Sequence, residues 1–167
     1  YAIVGRGVAQ LSLPNDIQRE PLEAAYCERE TCLSAVTTAP TDEAVRAAAE
    51  AIDGAARPVI LAGFGAMRAA EAVLDLAETI RAPIVTTFRA KGILPDVNEW
   101  VAGVHGPLGT PHAQRIVEES DLVIACGASF SDFTGIPREI RAVHIDIDPL
   151  QLGKLPLAAG VYGDCTV

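Results

Sequence analysis

Aromatic side chains are scarce, at 5% of 167 residues, with one Trp and one Met. A core built from so few rings must be filled by aliphatic side chains. Sulfur and imidazole are also sparse. The four cysteines, Cys27, Cys32, Cys126 and Cys165, make no C-x-x-C pair, and His105, His112 and His144 stand apart, so no zinc spacing exists. Cys126 sits in an apolar run and reads as a small core residue. No uninterrupted apolar stretch approaches the ~20 residues of a membrane span, and no basic segment followed by an apolar one opens the chain as a signal peptide would. Positive charge is in deficit. Thirteen Lys and Arg against 22 Asp and Glu leave a net charge of −9, which repels phosphate backbones and anionic lipid. Nucleic acid and membranes are excluded as general partners, and a reduced, cytoplasmic protein is expected.

Half of the residues are hydrophobic, chiefly Ala, Val, Ile and Leu, the mix of α/β layers. The segment Val8–Leu13 alternates apolar and polar like a strand and stops at Pro14. Residues 15–40 show no sustained period and read as a linker. Beyond them Thr41 caps a helix with Asp42 and Glu43 in its first turn, with Val45, Ala48, Ala49 and Ile52 on one face and Gly54 at its end. Pro58–Ala62 is a wholly apolar strand, followed by Gly63-Phe64-Gly65 and a helix that buries Ala70, Val73, Leu74, Ala77 and Ile80. Further strands are expected at Pro83–Thr87, Trp100–Val104, Asp121–Cys126, Ala142–Ile147 and Gly160–Tyr162. A helix with Thr110 as cap and Pro111 at its first position precedes the fourth strand, and Asp148-Pro149 starts a brief helix before the sixth. Alternation at this spacing predicts a three-layer α/β/α Rossmann-like domain with a six-stranded parallel sheet in the order 3-2-1-4-5-6.

Ligands of such sheets bind beyond the carboxyl ends of the strands, where the order reverses. The loops there are Gly63–Ala66 and Gly127–Asp132. Gly63 and Gly65 would let the backbone approach a phosphate at a helix start. Arg68 stands where the third glycine of G-x-G-x-x-G belongs, and Thr86-Thr87 replace the acidic residue of an NAD ribose site. Both departures argue against an NAD dehydrogenase, and glycines also serve simply to turn a strand into a helix. His105 reads as a solvated loop residue that could reach a ligand; His144, inside a strand, reads as a hydrogen-bonded core residue. Ser131, Asp132 and His112 lack a G-x-S-x-G elbow and are not read as a triad. Asp146 and Asp148 fit a turn after a strand as well as they fit a metal.

Several segments in order resemble the middle domain of thiamine-diphosphate enzymes. They are Arg57–Gly63, Ala82–Thr87, Ala90–Pro95, Gly106–Pro111, Glu119–Ile124, Gly127–Phe130, His144–Pro149 and Gly163-Asp164. The relatives are acetolactate synthase, pyruvate oxidase and the 2-oxoacid decarboxylases, and the turn 127–135 is most similar to pyruvate oxidase-like members. The resemblance implies that residues 1–18 are the last strand of a preceding pyrimidine-binding domain, residues 19–40 a linker and residues 41–167 the central domain. The start at Tyr1 and the end at Val167 are read as cuts in a longer polypeptide.

In that family the central domain does no chemistry, so no catalytic residue is assigned here. The family's Mg2+ and diphosphate ligands are a Gly-Asp-Gly motif with a downstream Asn. Here Cys165 follows Gly163-Asp164, and the only asparagines, Asn15 and Asn98, lie upstream. Thiamine diphosphate and Mg2+ therefore belong to the parent enzyme and not to this chain. Some relatives bind FAD or ADP in this domain. By position an adenine nucleotide would meet Gly63, Phe64, Gly65, Thr86, Thr87, His105, Gly127, Asp146, Gly163 and Asp164. The arginine-rich turn of acetolactate synthases is here Ser129-Phe130-Ser131-Asp132-Phe133, which lacks both arginines and two charge-assisted partners for a diphosphate. The implied partners are the pyrimidine- and diphosphate-binding domains and further copies of the chain, in a homo-oligomer. The competing reading is a free-standing nucleotide-binding Rossmann-like protein, either an oxidoreductase or sirtuin-like; the latter needs paired C-x-x-C motifs that are absent.

Overall fold

The computed structural model describes residues 2, 7–28, 32, 37–131 and 133–167. The chain divides into two compact units, Tyr1–Val36 and Thr37–Val167. In the first, a 3-10 turn spans Ile17–Arg19. The strand expected at Val8–Leu13 is absent: residues 8–13 pair with nothing in a sheet, and Val8 and Leu11 are 91% and 80% exposed. Alternation supplies a potential strand face, but a strand forms only where a neighbour completes its hydrogen bonds. Cys27 and Cys32 lie near one another, with Cα atoms 6.1 Å apart.

The second unit is a six-stranded parallel sheet, β1 Pro58–Ala62, β2 Ile84–Thr86, β3 Val101–Val104, β4 Leu122–Cys126, β5 Ala142–Asp146 and β6 Leu157–Tyr162. The strand order is 3-2-1-4-5-6, as the alternation of elements implied, and all pairs are parallel. Helix α1 spans Asp42–Asp53, α2 Ala70–Ile80 and α3 Pro111–Glu119. The caps are those read from sequence: Thr41 and Thr110 accept hydrogen bonds from the N–H of Ala44 and Ala113, each at 3.3 Å. Asp121 braces the opposite end of the sheet, its carboxylate accepting from the N–H of Ala56 at 2.8 Å and of Arg57 at 2.9 Å.

Two cores flank the sheet because successive strand residues point to opposite faces. On one, Ile60, Ile84, Ile124 and Val143 pack with α1 and α2; on the other, Val59, Leu61, Val85, Val123 and Ala125 pack with Ala113 and Val117 of α3. Helix α1 is rotated from the expected face. Val45 and Ala49 point outward, and Ala48, Ala51 and Ile52 face the core.

Three local expectations shift. A 3-10 segment, Phe64–Ala69, intervenes between Gly63 and α2. The brief helix at Asp148-Pro149 is a run of turns. The carboxylate of Asp146 accepts from the N–H of Asp148 at 2.8 Å, and that of Asp148 from the N–H of Leu150 at 3.0 Å, so short side chains divert the backbone from helix. Finally β6 starts at Leu157 rather than Gly160, because pairing with β5 extends back to Ala142. Among the described residues the crossovers from β4 to β5 and from β5 to β6 thus carry no helix.

Candidate functional site

The carboxyl ends of the six strands are tied in one row of backbone hydrogen bonds. The N–H of His105 donates to Thr86 O at 2.8 Å, that of Thr87 to Ala62 O at 3.0 Å and that of Gly63 to Cys126 O at 2.9 Å. The N–H of Gly127 donates to Ile145 O at 2.9 Å, and that of Gly163 to Asp146 O at 3.1 Å. This row brings the ten sequence-derived positions to one edge of the sheet.

At its centre, where the strand order reverses, the two glycine loops meet backbone to backbone. A Cβ on Gly63 would lie 2.2 Å from Gly127 O, and one on Gly65 would lie 2.8 Å from Gly127 Cα. Gly127 itself has φ +57° and would meet Gly65 in turn. The N–H of Gly65 donates to Gly127 O at 2.9 Å, and that of Ala66 to Gly63 O at 3.1 Å. The N–H groups of Gly63, Gly65 and Ala66 therefore have internal acceptors. These glycines exist for close approach of two loops, and a substitution at Gly65 perturbs that junction before it perturbs any ligand.

Around the junction, Phe64 is half-exposed and carries the Arg89 guanidinium 4.9 Å from its ring centre. Thr86 is buried and Thr87 half-buried. Gly163 packs against Pro40, and the N–H of Asp164 donates to Thr38 O at 2.8 Å. The Asp164 carboxylate accepts from the N–H and hydroxyl of Thr166 at 3.1 and 2.9 Å.

His105 is not solvated, as its loop position suggested, but 1% exposed. Its Nε2 bonds Gly135 O at 3.3 Å, and burial lowers its pKa below the usual 6.5. His144 is the core residue expected. Its Nε2 lies 3.1 Å from Ala128 O, and its ring meets Phe130 edge-on at 4.8 Å. A carbonyl accepts only, so Nε2 carries the proton in both rings. Each Nδ1 is then a bare acceptor with no partner. Asp146 Oδ2 stands 3.7 Å from His144 Nε2.

Of the other singled-out groups, His112 is exposed on α3, Ser131 is exposed, and Asp132 lies outside the described residues. Among the described residues no group of three or more His, Cys, Asp and Glu is placed to hold a metal ion. With Asp164 engaged by Thr166, the residues present do not form a diphosphate–Mg2+ site, and no chemical step is assigned to them.

Two cavities are lined by none of these ten positions. One, of about 720 Å3, opens at the amino ends of the strands between Asp53, Arg57, Arg81 and Glu119. The other, of about 510 Å3, is bounded by Phe130, Ser131, Gly135, Ile136, Arg138, Lys154 and Leu155. Sequence reasoning missed the second because it rests on the absence of helices in two crossovers. The available signal was Lys154, one of only two lysines in an acidic chain.

Residues 45–167 match the family model described as thiamine pyrophosphate enzyme, central domain. A Bacillus subtilis protein described as thiamine pyrophosphate-containing, YdaP, is 36% identical over 165 residues, which is 95% of this chain and 28% of that protein. Acetolactate synthase of Mycobacterium leprae is 39% identical over 124 residues, 70% of this chain and 20% of the relative. The acetolactate synthase isozyme 1 large subunit of Escherichia coli is 32% identical over 156 residues, covering 89% and 27%. The chain thus spans between 20% and 28% of the length of these relatives. Among solved structures, benzoylformate decarboxylase from Polynucleobacter necessarius superposes with a TM-score of 0.69 at 16% identity, over 92% of this chain and 30% of that one, a likeness of fold.

Proposed function

The chain belongs to the thiamine pyrophosphate enzyme central-domain family, and we propose that it is the non-catalytic middle domain of an enzyme that processes 2-oxoacids with thiamine diphosphate and Mg2+. The observation that carries this is the match over residues 45–167, which spans the whole six-stranded parallel sheet. The alternative of a free-standing Rossmann-like oxidoreductase is not favoured, because β2 ends in Thr86 with Thr87, not an acidic residue, after it, and the Gly63 and Gly65 N–H groups are already bonded.

In this reading the domain spaces the pyrimidine- and diphosphate-binding domains, with residues 1–18 continuing the former and residues 19–40 linking it. The parent enzyme is a cytoplasmic homo-oligomer. An adenine nucleotide, ADP or FAD, would lie over the row from Gly63, Phe64 and Gly65 through Thr86, Thr87, His105 and Gly127 to Asp146, Gly163 and Asp164. Its phosphates would need donors other than the Gly63 and Gly65 N–H groups. Ser129 and Phe133, where arginines would help, make that binding weak, so the chain should purify without colour.

The test is turnover by the full-length polypeptide. Consumption of pyruvate or a larger 2-oxoacid that depends on thiamine diphosphate and Mg2+ is expected. The product then separates an acetolactate synthase-like reaction from a pyruvate oxidase-like one. A full-length protein that ignores 2-oxoacids yet reduces NAD with a small alcohol would reverse the proposal.

A further inference from the structure

Both helix-free crossovers, β4 to β5 and β5 to β6, border the cavity of about 510 Å3 described above. Where a helix would cover the sheet, a loop wall stands instead, and that wall is fixed from several sides. His144 Nε2 holds Ala128 O at 3.1 Å and its ring meets Phe130, while His105 Nε2 holds Gly135 O at 3.3 Å. Between them the buried Thr134 hydroxyl donates to Ser129 O at 3.0 Å and lies 3.4 Å from the Ser131 hydroxyl. Gly135, at φ +65°, makes the turn that returns the chain beneath the wall. A wall held in this way exists before a ligand arrives, which lowers the entropic cost of binding.

The lining is of two kinds. Phe130, Ile136 and Leu155 give an apolar surface, and Arg138 and Lys154 give two cations from different crossovers. Among the described residues neither cation forms a salt bridge; Lys154 leans on Gln151 Oε1. Asp148, whose carboxyl pKa is lowered chiefly by the Gln151 amide and the Leu150 N–H and also by the charge of Lys154, is already engaged by those two donors. In a chain of net charge −9, two cations on one cavity, neither in a salt bridge among the described residues, are a local positive field.

We propose that this cavity binds a small organic anion, its phosphate or carboxylate between Arg138 and Lys154 and its apolar body against Phe130, Ile136 and Leu155. None of the ten residues of the strand-end row lines it, although His105 of that row braces its wall through Gly135.

Phenyl phosphate is the simplest probe that joins both features, with benzoate as its carboxylate counterpart. Inorganic phosphate and phenol carry one feature each. Calorimetric titration of the chain should show saturable binding of phenyl phosphate or benzoate, and the stronger of the two identifies the anion class. Arg138→Gln and Lys154→Gln should each weaken that binding about tenfold, as expected for loss of one charge-assisted contact worth about 1.4 kcal/mol. Both positions are exposed, and unchanged thermal unfolding of the variants confirms that the fold is intact. Glu139→Gln should not weaken it. The proposal is overturned if neither organic anion binds, if both Gln variants bind as the parent does, or if inorganic phosphate alone binds as tightly as phenyl phosphate.

Discussion

Replacing Gly63 by alanine places a methyl carbon 2.2 Å from Gly127 O and 2.4 Å from Ala128 Cα. Carbon belongs about 3.5 Å or more from such atoms, so the loops after β1 and β4 must part by more than about 1 Å. Neither neighbour is a side chain that could rotate away. The hydrogen bonds from Gly63 N–H to Cys126 O and from Gly65 N–H to Gly127 O, both 2.9 Å, would then stretch beyond useful length. Overpacking costs about 1–3 kcal/mol, and each lost bond about 1 kcal/mol. The sum is about 3–5 kcal/mol, against a typical total of about 5–15 kcal/mol. Gly63 has φ −93° and suffers no backbone strain as alanine, so the whole effect is steric. Gly153 provides the opposite control: its φ is +82°, but an added Cβ meets nothing within 4 Å. Gly153→Ala should cost only the left-handed strain of about 1–2 kcal/mol. Urea unfolding followed by circular dichroism measures both. With a slope of about 1–3 kcal/mol/M, the Gly63→Ala midpoint should fall by at least about 1 M and below that of Gly153→Ala. Equal midpoints for the two variants would refute the close-approach account of the glycine junction.

The buried His105 gives a pH dependence with a definite sign. Its folded pKa is lowered, so the unfolded chain binds the proton more readily and stability falls as pH drops below about 6.5; thermal melts from pH 8 to 5 should show a slope that His105→Gln removes. Thr110→Ala deletes the cap of α3 and should cost about 1 kcal/mol by urea titration, with Thr110→Ser recovering most of it. Cys126 is fully buried, its thiol pKa pushed far up by desolvation, so iodoacetamide at pH 8 should spare it in the native chain and modify it in urea, as mass mapping would read.

What was legible in the sequence was what local chemistry decides. Apolar runs such as Pro58–Ala62 and the one within Asp121–Cys126 are too short for helices and read as strands covered on both faces, and Thr41 and Thr110 announce helix starts, so element order and sheet order followed together. What was not legible depended on neighbours. Val45 and Ala49 were assigned to the wrong side of α1 because alanine-rich helices offer several weakly distinguished stripes. Asp148 reads equally well as a helix cap and as a turn former, and contacts with Asp146 and Gln151 select the turn. The positions at the strand ends were recognised, but not that Gly63 and Gly65 are consumed by Gly127, since a contact between loops this far apart in sequence leaves no mark in either segment. His105 was placed in the right loop and the wrong environment for the same reason.

Calorimetry of the 167-residue chain with thiamine diphosphate and Mg2+ tests the central claim, that this domain scaffolds an enzyme whose cofactor is held elsewhere. The account predicts no saturable heat and no turnover of pyruvate by the chain alone. Stoichiometric binding with a micromolar dissociation constant would contradict it.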